Sequence, residues 1–303
     1  MRSKFSKAIG YSIVGLVIVL HYSCKKNITV TPPPYTNKVS IQCFIEADSI
    51  PILYFNRTVG YFDGAIKRNQ LVIRDAIMKI QSASATDTLT IDSVFDRLDC
   101  QYNYFYKGKK TILNNATYNL VIISAVDTYR ATASTDIIPC IIDSVAYTSK
   151  FSDVNGEHEG VIVYFKDNSL KDNFYRYELV RFIDTATKKA EQPIVSSCLG
   201  KDSMLTIEIG RAVLTNIGLQ GQQIKVVVEP AYSHKASTSG YIYMQAIDKN
   251  AYDFFNQLDQ QKLAANNPFV EPVFIKPGQF GSTAIGFFSA KKNSQPYLFT
   301  YPE

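Results

Sequence analysis

Tryptophan is absent from the 303 residues and histidine occurs three times. One of the three, His21, lies in a leading apolar segment. His158 and His234 alone give a histidine-based triad or a multi-histidine metal centre little to work with. No Cys-x-x-Cys pair occurs among the five cysteines, which argues against a zinc knuckle. Neither a Gly-x-Ser-x-Gly elbow, a Walker loop nor a dinucleotide fingerprint is present. The leading apolar run, Ala8 to Leu20, is thirteen residues long, well short of the roughly twenty that a spanning helix needs. Charge is nearly balanced too. Removing residues 1–23 takes away three cations and no anions, leaving 29 Lys+Arg against 27 Asp+Glu. That difference, with no basic stripe, supplies no electrostatic footprint for nucleic acid.

What is present begins at the N-terminus. Arg2, Lys4 and Lys7 precede the uncharged run, and Ser23-Cys24 closes it just before Lys25-Lys26. A charged start, a short apolar core and a small residue at the cut predict a secretory signal peptide over residues 1–23. The cysteine at the cut predicts a bacterial lipoprotein acylated on Cys24, although Leu20 lies four residues ahead of it rather than three. An ordinary signal peptide with an incidental cysteine is the alternative. Lys25, where an aspartate would retain such a protein at the inner membrane of enteric bacteria, permits transfer to the outer membrane. Residues 24–37, with Pro32-Pro33-Pro34, read as the lipidated cysteine and an extended tether.

Beyond the tether the texture is that of short strands between polar turns. Residues 39–45, 51–56, 70–81, 88–94, 99–106, 117–125 and 128–135 predict an N-terminal β-sandwich over 38–139. Leu113 to Tyr118 resembles the corner of a fibronectin type III or immunoglobulin-like domain, where the tyrosine hydroxyl bonds to backbone just upstream. Residues 140–303 predict a second β domain, with strands at 141–147, 159–166, 173–184, 193–198, 203–209 and 223–230. Asn155-Gly156 marks a hairpin between its first two strands. Asp248 can cap a helix over 248–263 whose Ala251, Phe254, Phe255 and Leu258 share one face. The expected fold is therefore mainly β: two immunoglobulin/fibronectin-III-like sandwiches with one C-terminal helix packed on the second.

Other features offer little chemistry. Acids recur in Asp153-Val154-Asn155-Gly156-Glu157-His158-Glu159, but the glycine is misplaced for a calcium loop and a solvated hairpin tip explains them. With Cys24 acylated, four cysteines remain for disulfides in an oxidising compartment. Cys43 alternates with Ile41 and Ile45 and reads as a small buried hydrophobe. Tyr102, Tyr104, Phe105 and Tyr106 crowd one strand, so at least one ring faces outward, either as packing or as a contact for sugar or protein. Asp-Ser/Thr-aliphatic triplets at Asp48, Asp87, Asp92, Asp143, Asp184 and Asp202 resemble an O-glycosylation signal; strand composition explains them equally well. Residues 266–288 either seal the second domain or face a partner.

The C-terminal run carries a family resemblance. A helix, then Asn267-Pro268-Phe269-Val270-Glu271-Pro272, Gly278, Gly281, Ile285-Gly286-Phe287-Phe288 and Ser289-Ala290 resembles the end of a Bacteroidota envelope lipoprotein family of unknown function, domain-of-unknown-function family 4249. Tyr118, Leu120 and Val121, then Tyr129 and Ala131, Asp143-Ser144, and Asn173 to Glu178 fit the same pattern. Gln279-Phe280 and Thr283-Ala284 stand where the family more often has a Gly-rich turn. Lipid-modified proteins of the Bacteroidota also resemble this chain in their loose cleavage motif. The resemblance implies an envelope lipoprotein, often encoded near a TonB-dependent receptor, with no catalytic residue; with Lys25 the expected place is the outer membrane, lipid-anchored, and no cofactor is expected. The expected function is a non-enzymatic binding or accessory component of a TonB-dependent uptake system; the alternative is a structural or adhesive surface lipoprotein. Expected partners are the bilayer, through acylated Cys24, a TonB-dependent receptor, and a small-molecule or glycan ligand, with no nucleic acid. The membrane face is open.

Overall fold

Alternation of apolar and polar side chains builds the first half of the molecule. The structure is a computed structural model that describes residues 36, 38–60, 66–97, 100–125, 127–153, 156–167, 171–183, 204–209, 213–228, 236–265 and 273–303. The expected acylation site at Cys24 and the strand expected at 193–198 lie outside them. In β1 (Val39–Ile45), Ile41, Cys43 and Ile45 point inward; in β2 (Ile52–Arg57), Leu53 and Phe55 do. The two pair antiparallel around a turn in which Asp48 adopts φ +63°. A single helical turn, α1 (Arg68–Leu71), then leads to β3 (Ile77–Gln81), β4 (Thr86–Asp96), β5 (Gln101–Lys107), β6 (Thr117–Ile123) and β7 (Thr128–Ser134). β4 joins two layers: residues 86–89 pair with β3, whereas residues 90–96 pair with β5. Between the layers lies a core that includes Ile41, Leu53, Phe55, Met78, Leu120 and Ile122.

The tyrosine corner is present. Tyr118 is buried, and its hydroxyl accepts a hydrogen bond from the backbone N–H of Leu113 at 2.6 Å. Thr135 ties the same corner, its hydroxyl donating to the Leu113 carbonyl and accepting from the Ala116 N–H. Residues 70–81 depart from the strand expected there. The chain makes the turn of α1, bridges Asn56 at Val72, and becomes a strand only at Ile77, because it crosses from one layer to the other.

The second half repeats the principle. β8 (Ile141–Asp153) and β9 (Gly156–Lys166) form a hairpin that meets at Asp153 and Gly156, and β13 (Gln223–Val228) flanks β9. Facing this three-stranded sheet are β10 (Phe174–Ile183), β11 (Met204–Ile209), β12 (Leu214–Thr215), β14 (Ser239–Ile247) and β16 (Tyr297–Thr300). Val161, Val163 and Phe165 pack there against Tyr175, Leu179, Ile242 and Met244. β14 carries no strand period in its sequence because its C-terminal half is buried on both faces, so the two-residue alternation disappears.

β15 (Ala284–Asn293) ties the halves together. Its first seven residues pair in parallel with β1, and Lys291 to Asn293 pair with β14; after a bend at Ser294, β16 continues along β14. The result is a thirteen-stranded mixed sheet in the order β11-β10-β14-β15-β1-β2-β5-β4-β3-β6-β7, with β12 and β16 beside it. The division expected at residue 139 falls between two cores, yet Ala284, Phe288 and Ala290 serve the first core from beyond it. Residues 37–303 form one compact unit.

α2 (Lys249–Ala265) covers the joint. Ala251, Phe254, Phe255 and Leu258 face inward as the heptad spacing predicts, and they meet Phe287 of β15, Ile247 of β14, Phe174 of β10 and also Phe44 of β1. Asp248 caps the helix: one carboxylate oxygen accepts from the N–H groups of Asn250 and Ala251, and the other accepts from the Ala290 N–H of β15. Burial raises the Asp248 carboxyl above its ordinary range against the opposing pull of these donors. No helix among the described residues is long and apolar enough to cross a membrane.

Three outcomes follow from this packing. Gly286 sits at φ +120°, where a Cβ would lie 1.8 Å from the Ile41 carbonyl oxygen. Gly286→Ala is therefore expected to cost on the order of 3 kcal/mol or more, read as a shift in denaturant midpoint. Tyr118→Phe, which leaves the Leu113 N–H without its acceptor, is expected to cost about 1 kcal/mol in the same assay. Because the Asp248 pKa is raised in the folded state, its contribution is fully present below the ordinary carboxylate pKa and is lost as pH rises through the folded value. Wild type is thus expected to lose stability relative to Asp248→Asn as pH rises from about 4, and a pH-independent difference between their melts would contradict this.

Candidate binding groove

Strands β2 and β5 are neighbours in the sheet, but they pair only at Ile52–Lys107 and Leu53–Tyr106. Beyond Leu53 they part, and Asn56 takes Val72 as its bridge partner instead. The wedge opens a groove of about 400 Å³ lined by Gln42, Tyr54, Asn56, Arg68, Leu71, Val72, Asn103 and Tyr104. Gln42, Tyr54 and Asn56 stand at positions alternating with the core residues Cys43, Leu53 and Phe55, so burial of one face presents the other to the groove. α1 contributes Arg68 and Leu71 from the crossing segment.

Several of these groups are held. The Tyr54 ring meets Phe105 edge-on, with ring centroids 6.0 Å apart. Arg74 places its guanidinium carbon 4.1 Å from the centre of the Tyr104 ring, a cation–π contact. Asn103 donates from Nδ2 to an Asp96 carboxylate oxygen at 3.0 Å, and Gln42 donates from Nε2 to the Ser40 hydroxyl at 3.2 Å. The Asn56 side-chain amide makes no hydrogen bond among the described residues. Partial burial raises the Tyr54 phenol pKa above its ordinary value. The lining thus offers amides that both donate and accept, two phenol rings and one cation. None of its members is Asp, Glu or His.

Two other polar sites hold the fold instead. A cavity of about 200 Å³ beside the tyrosine corner contains Asp87, which accepts from the backbone N–H groups of Lys109 and Lys110 and so fixes the turn after β5. In the second half, buried Asp167 accepts hydrogen bonds from the Tyr175 hydroxyl at 2.7 Å and from the amides of Asn173 and Asn216. Under α2, Arg176 is only 5% exposed, its guanidinium carbon 4.4 Å from the Phe255 ring centre and 5.5 Å from that of Phe44. Burial lowers its pKa to about 10 against the raising effect of Glu178 and Asp259, which leaves it charged at neutral pH. Arg176 cements the helix to the sheet between aromatic rings.

The residues singled out in the sequence fall into place unevenly. Cys24 lies outside the described residues, as do the side chains of Asp153 and His158. Tyr102 faces solvent at 52% exposure and Tyr104 lines the groove, while Phe105 and Tyr106 are buried, the Tyr106 hydroxyl donating to the Ile73 carbonyl. Cys43 and Cys140 are buried free thiols; burial pushes Cys140 up to about 12 and raises Cys43 as well. Cys100 is disulfide-bonded, to a partner outside the described residues. Ser49, Thr88, Ser93 and Ser144 of the Asp-Ser/Thr triplets are all exposed. Within 266–288, Phe280 and Phe287 are core and Phe274 is 69% exposed, so the described part mainly seals. No group of three His, Cys, Asp or Glu residues among the described ones is placed to hold a metal ion. Gln42, Asn56 and Asn103 were not legible as a set, because a polar residue on an alternating strand reads as solvent-facing whether or not it lines a groove.

Six of the positions that carried the family resemblance have structural roles, while Asn267 to Pro272 lie outside the described residues. Tyr118, Leu120 and Tyr129 are buried in the first core, Gly278 and Gly281 bridge a tight turn, and Gly286 is the point where β15 touches β1. No curated protein matches this chain. The family model described as domain of unknown function (DUF4249) matches residues 25–294, and the chain belongs to that family.

Proposed function

We propose that this protein is an envelope lipoprotein of the Bacteroidota type, freed of residues 1–23, acylated on Cys24 and anchored in the outer membrane. In this reading it acts without catalysis, as a binding or accessory component of a TonB-dependent uptake system. The observation that carries the binding role is the groove between β2 and β5, a concave site of amides and rings on a framework of strands. The disulfide at Cys100 suits an oxidising compartment, where an exported protein would fold. Two acyl chains on Cys24 would supply the two signals that stable anchoring needs. The Pro-rich tether would hold the β framework off the bilayer.

A second reading, an adhesive lipoprotein, draws on the β4–β5 hairpin. Phe95 and Tyr102 stand opposite one another there, both exposed, and their rings meet at 5.2 Å. Such a patch can anchor a protein partner.

Metabolic labelling with a fatty-acid analogue is expected to mark wild type and not Cys24→Ala, and the Cys100 disulfide is expected to survive that substitution under non-reducing mass analysis. Equal labelling of both proteins, or a free Cys100 thiol in the variant, would contradict acylation of Cys24. Cross-linking in intact cells followed by purification is expected to recover an outer-membrane receptor. Recovery of none, with the anchor intact, would leave the adhesive reading.

A further inference from the structure

We propose that the groove between β2 and β5 binds a neutral saccharide of one or two rings; this rests on the binding function inferred above and names its ligand class. At about 400 Å³ the site is of small-ligand size. A pyranose presents hydroxyls that donate and accept at once, together with a face of C–H groups. Carboxamides answer the first, because each carries two donors and a two-lone-pair acceptor. Aromatic rings answer the second.

The groove places both kinds of group on opposing strands. Asn56 brings an amide with no hydrogen-bond partner among the described residues. Gln42 and Asn103 each use one N–H on a neighbour outside the lining, Ser40 and Asp96, which orients the amide and leaves its second N–H and carbonyl oxygen for a ligand. Tyr54 and Tyr104 are each packed on another residue, Phe105 and Arg74 respectively. Rings already held in place lose little freedom when a sugar stacks on them.

An extended peptide fits the same site less well. Strand addition needs a free backbone edge on β2, and Val72 already occupies that edge at Asn56. With no carboxylate in the lining, the site has no counter-charge for a cationic ligand, and Arg68, the one cation there, already has a partner of its own.

The test uses the full acylated protein in a sugar-free detergent, with maltose, cellobiose, xylobiose and N,N′-diacetylchitobiose as probes. Binding is read by saturation-transfer NMR and by tyrosine fluorescence, which the absence of tryptophan leaves unobscured. At least one saccharide is expected to bind at millimolar concentration or below. Tyr54→Ala, Tyr104→Ala and Asn56→Ala are each expected to weaken binding about tenfold. Tyr54→Phe keeps the ring and is expected to stay within about threefold of wild type, while Tyr241→Ala, exposed on β14 and outside the groove, should leave binding unchanged. Thermal melts of every variant separate loss of fold from loss of contact, and Asn56→Ala serves where a tyrosine variant does not fold. Binding by none of the four saccharides, binding indifferent to the groove variants, or capture of an extended peptide in their place would overturn the proposal. Acylation and receptor recovery, measured on the same preparation, show whether the ligand class alone has failed or the envelope reading with it.

Discussion

The architecture depends on the contact between the first strand and the penultimate one. Val39–Ile45 and Ala284–Ala290 pair in parallel, and the backbones meet so closely at Ile41 and Gly286 that any side chain at 286 would collide with a carbonyl oxygen. Parallel pairing of chain segments far apart in sequence carries a large loop-closure entropy, and it forms only where burial on both faces offsets that cost. Here Ala284, Phe288 and Ala290 fill the first core on one face, while Phe287 supports α2 on the other. Because the same strand passes on to β14, the two sandwiches share a sheet. The terminal segment is thereby a structural keystone for both.

The groove is a by-product of how the first sandwich closes. The chain between β2 and β3 has to change layers, and in doing so it lays Val72 along β2 where β5 would otherwise pair. Sheet strands that part leave room between them, and the residues that β1 and β2 bring to the opening are those that alternation had already turned away from the core. Tyr54 and Asn56 therefore line a cavity for the reason that Leu53 and Phe55 are buried.

Buried polar groups do a different job in each half. Tyr118, Thr135 and Asp87 satisfy backbone groups at corners of the first sandwich. Asp167 gathers a tyrosine and two asparagines in the second, and Asp248 joins a helix end to a strand 42 residues away. Each is placed where a backbone or amide donor would otherwise be left without a partner, and burial without one would be costly. These residues explain rigidity and do not mark reactivity.

Local chemistry was legible in the sequence because it depends on near neighbours. Period-two alternation identified β1, β2, β6 and β7, the spacing of Leu113 and Tyr118 announced the corner, and Asp248 ahead of an amphipathic stretch marked the helix start. The inward position of Cys43 was likewise set by its strand. Long-range partners were not legible. Nothing around Gly286 says that Ile41 lies against it, nor does the texture of Ser239–Ile247 reveal a strand covered on both faces. The groove belongs to the same class: Gln42, Asn56 and Asn103 are ordinary polar residues until the parting of β2 from β5 sets them around one space. Alternation and capping act within a few residues and were determined by the sequence itself. Which strands lie side by side, and where they part, was decided only when burial of distant segments against one another selected a single arrangement.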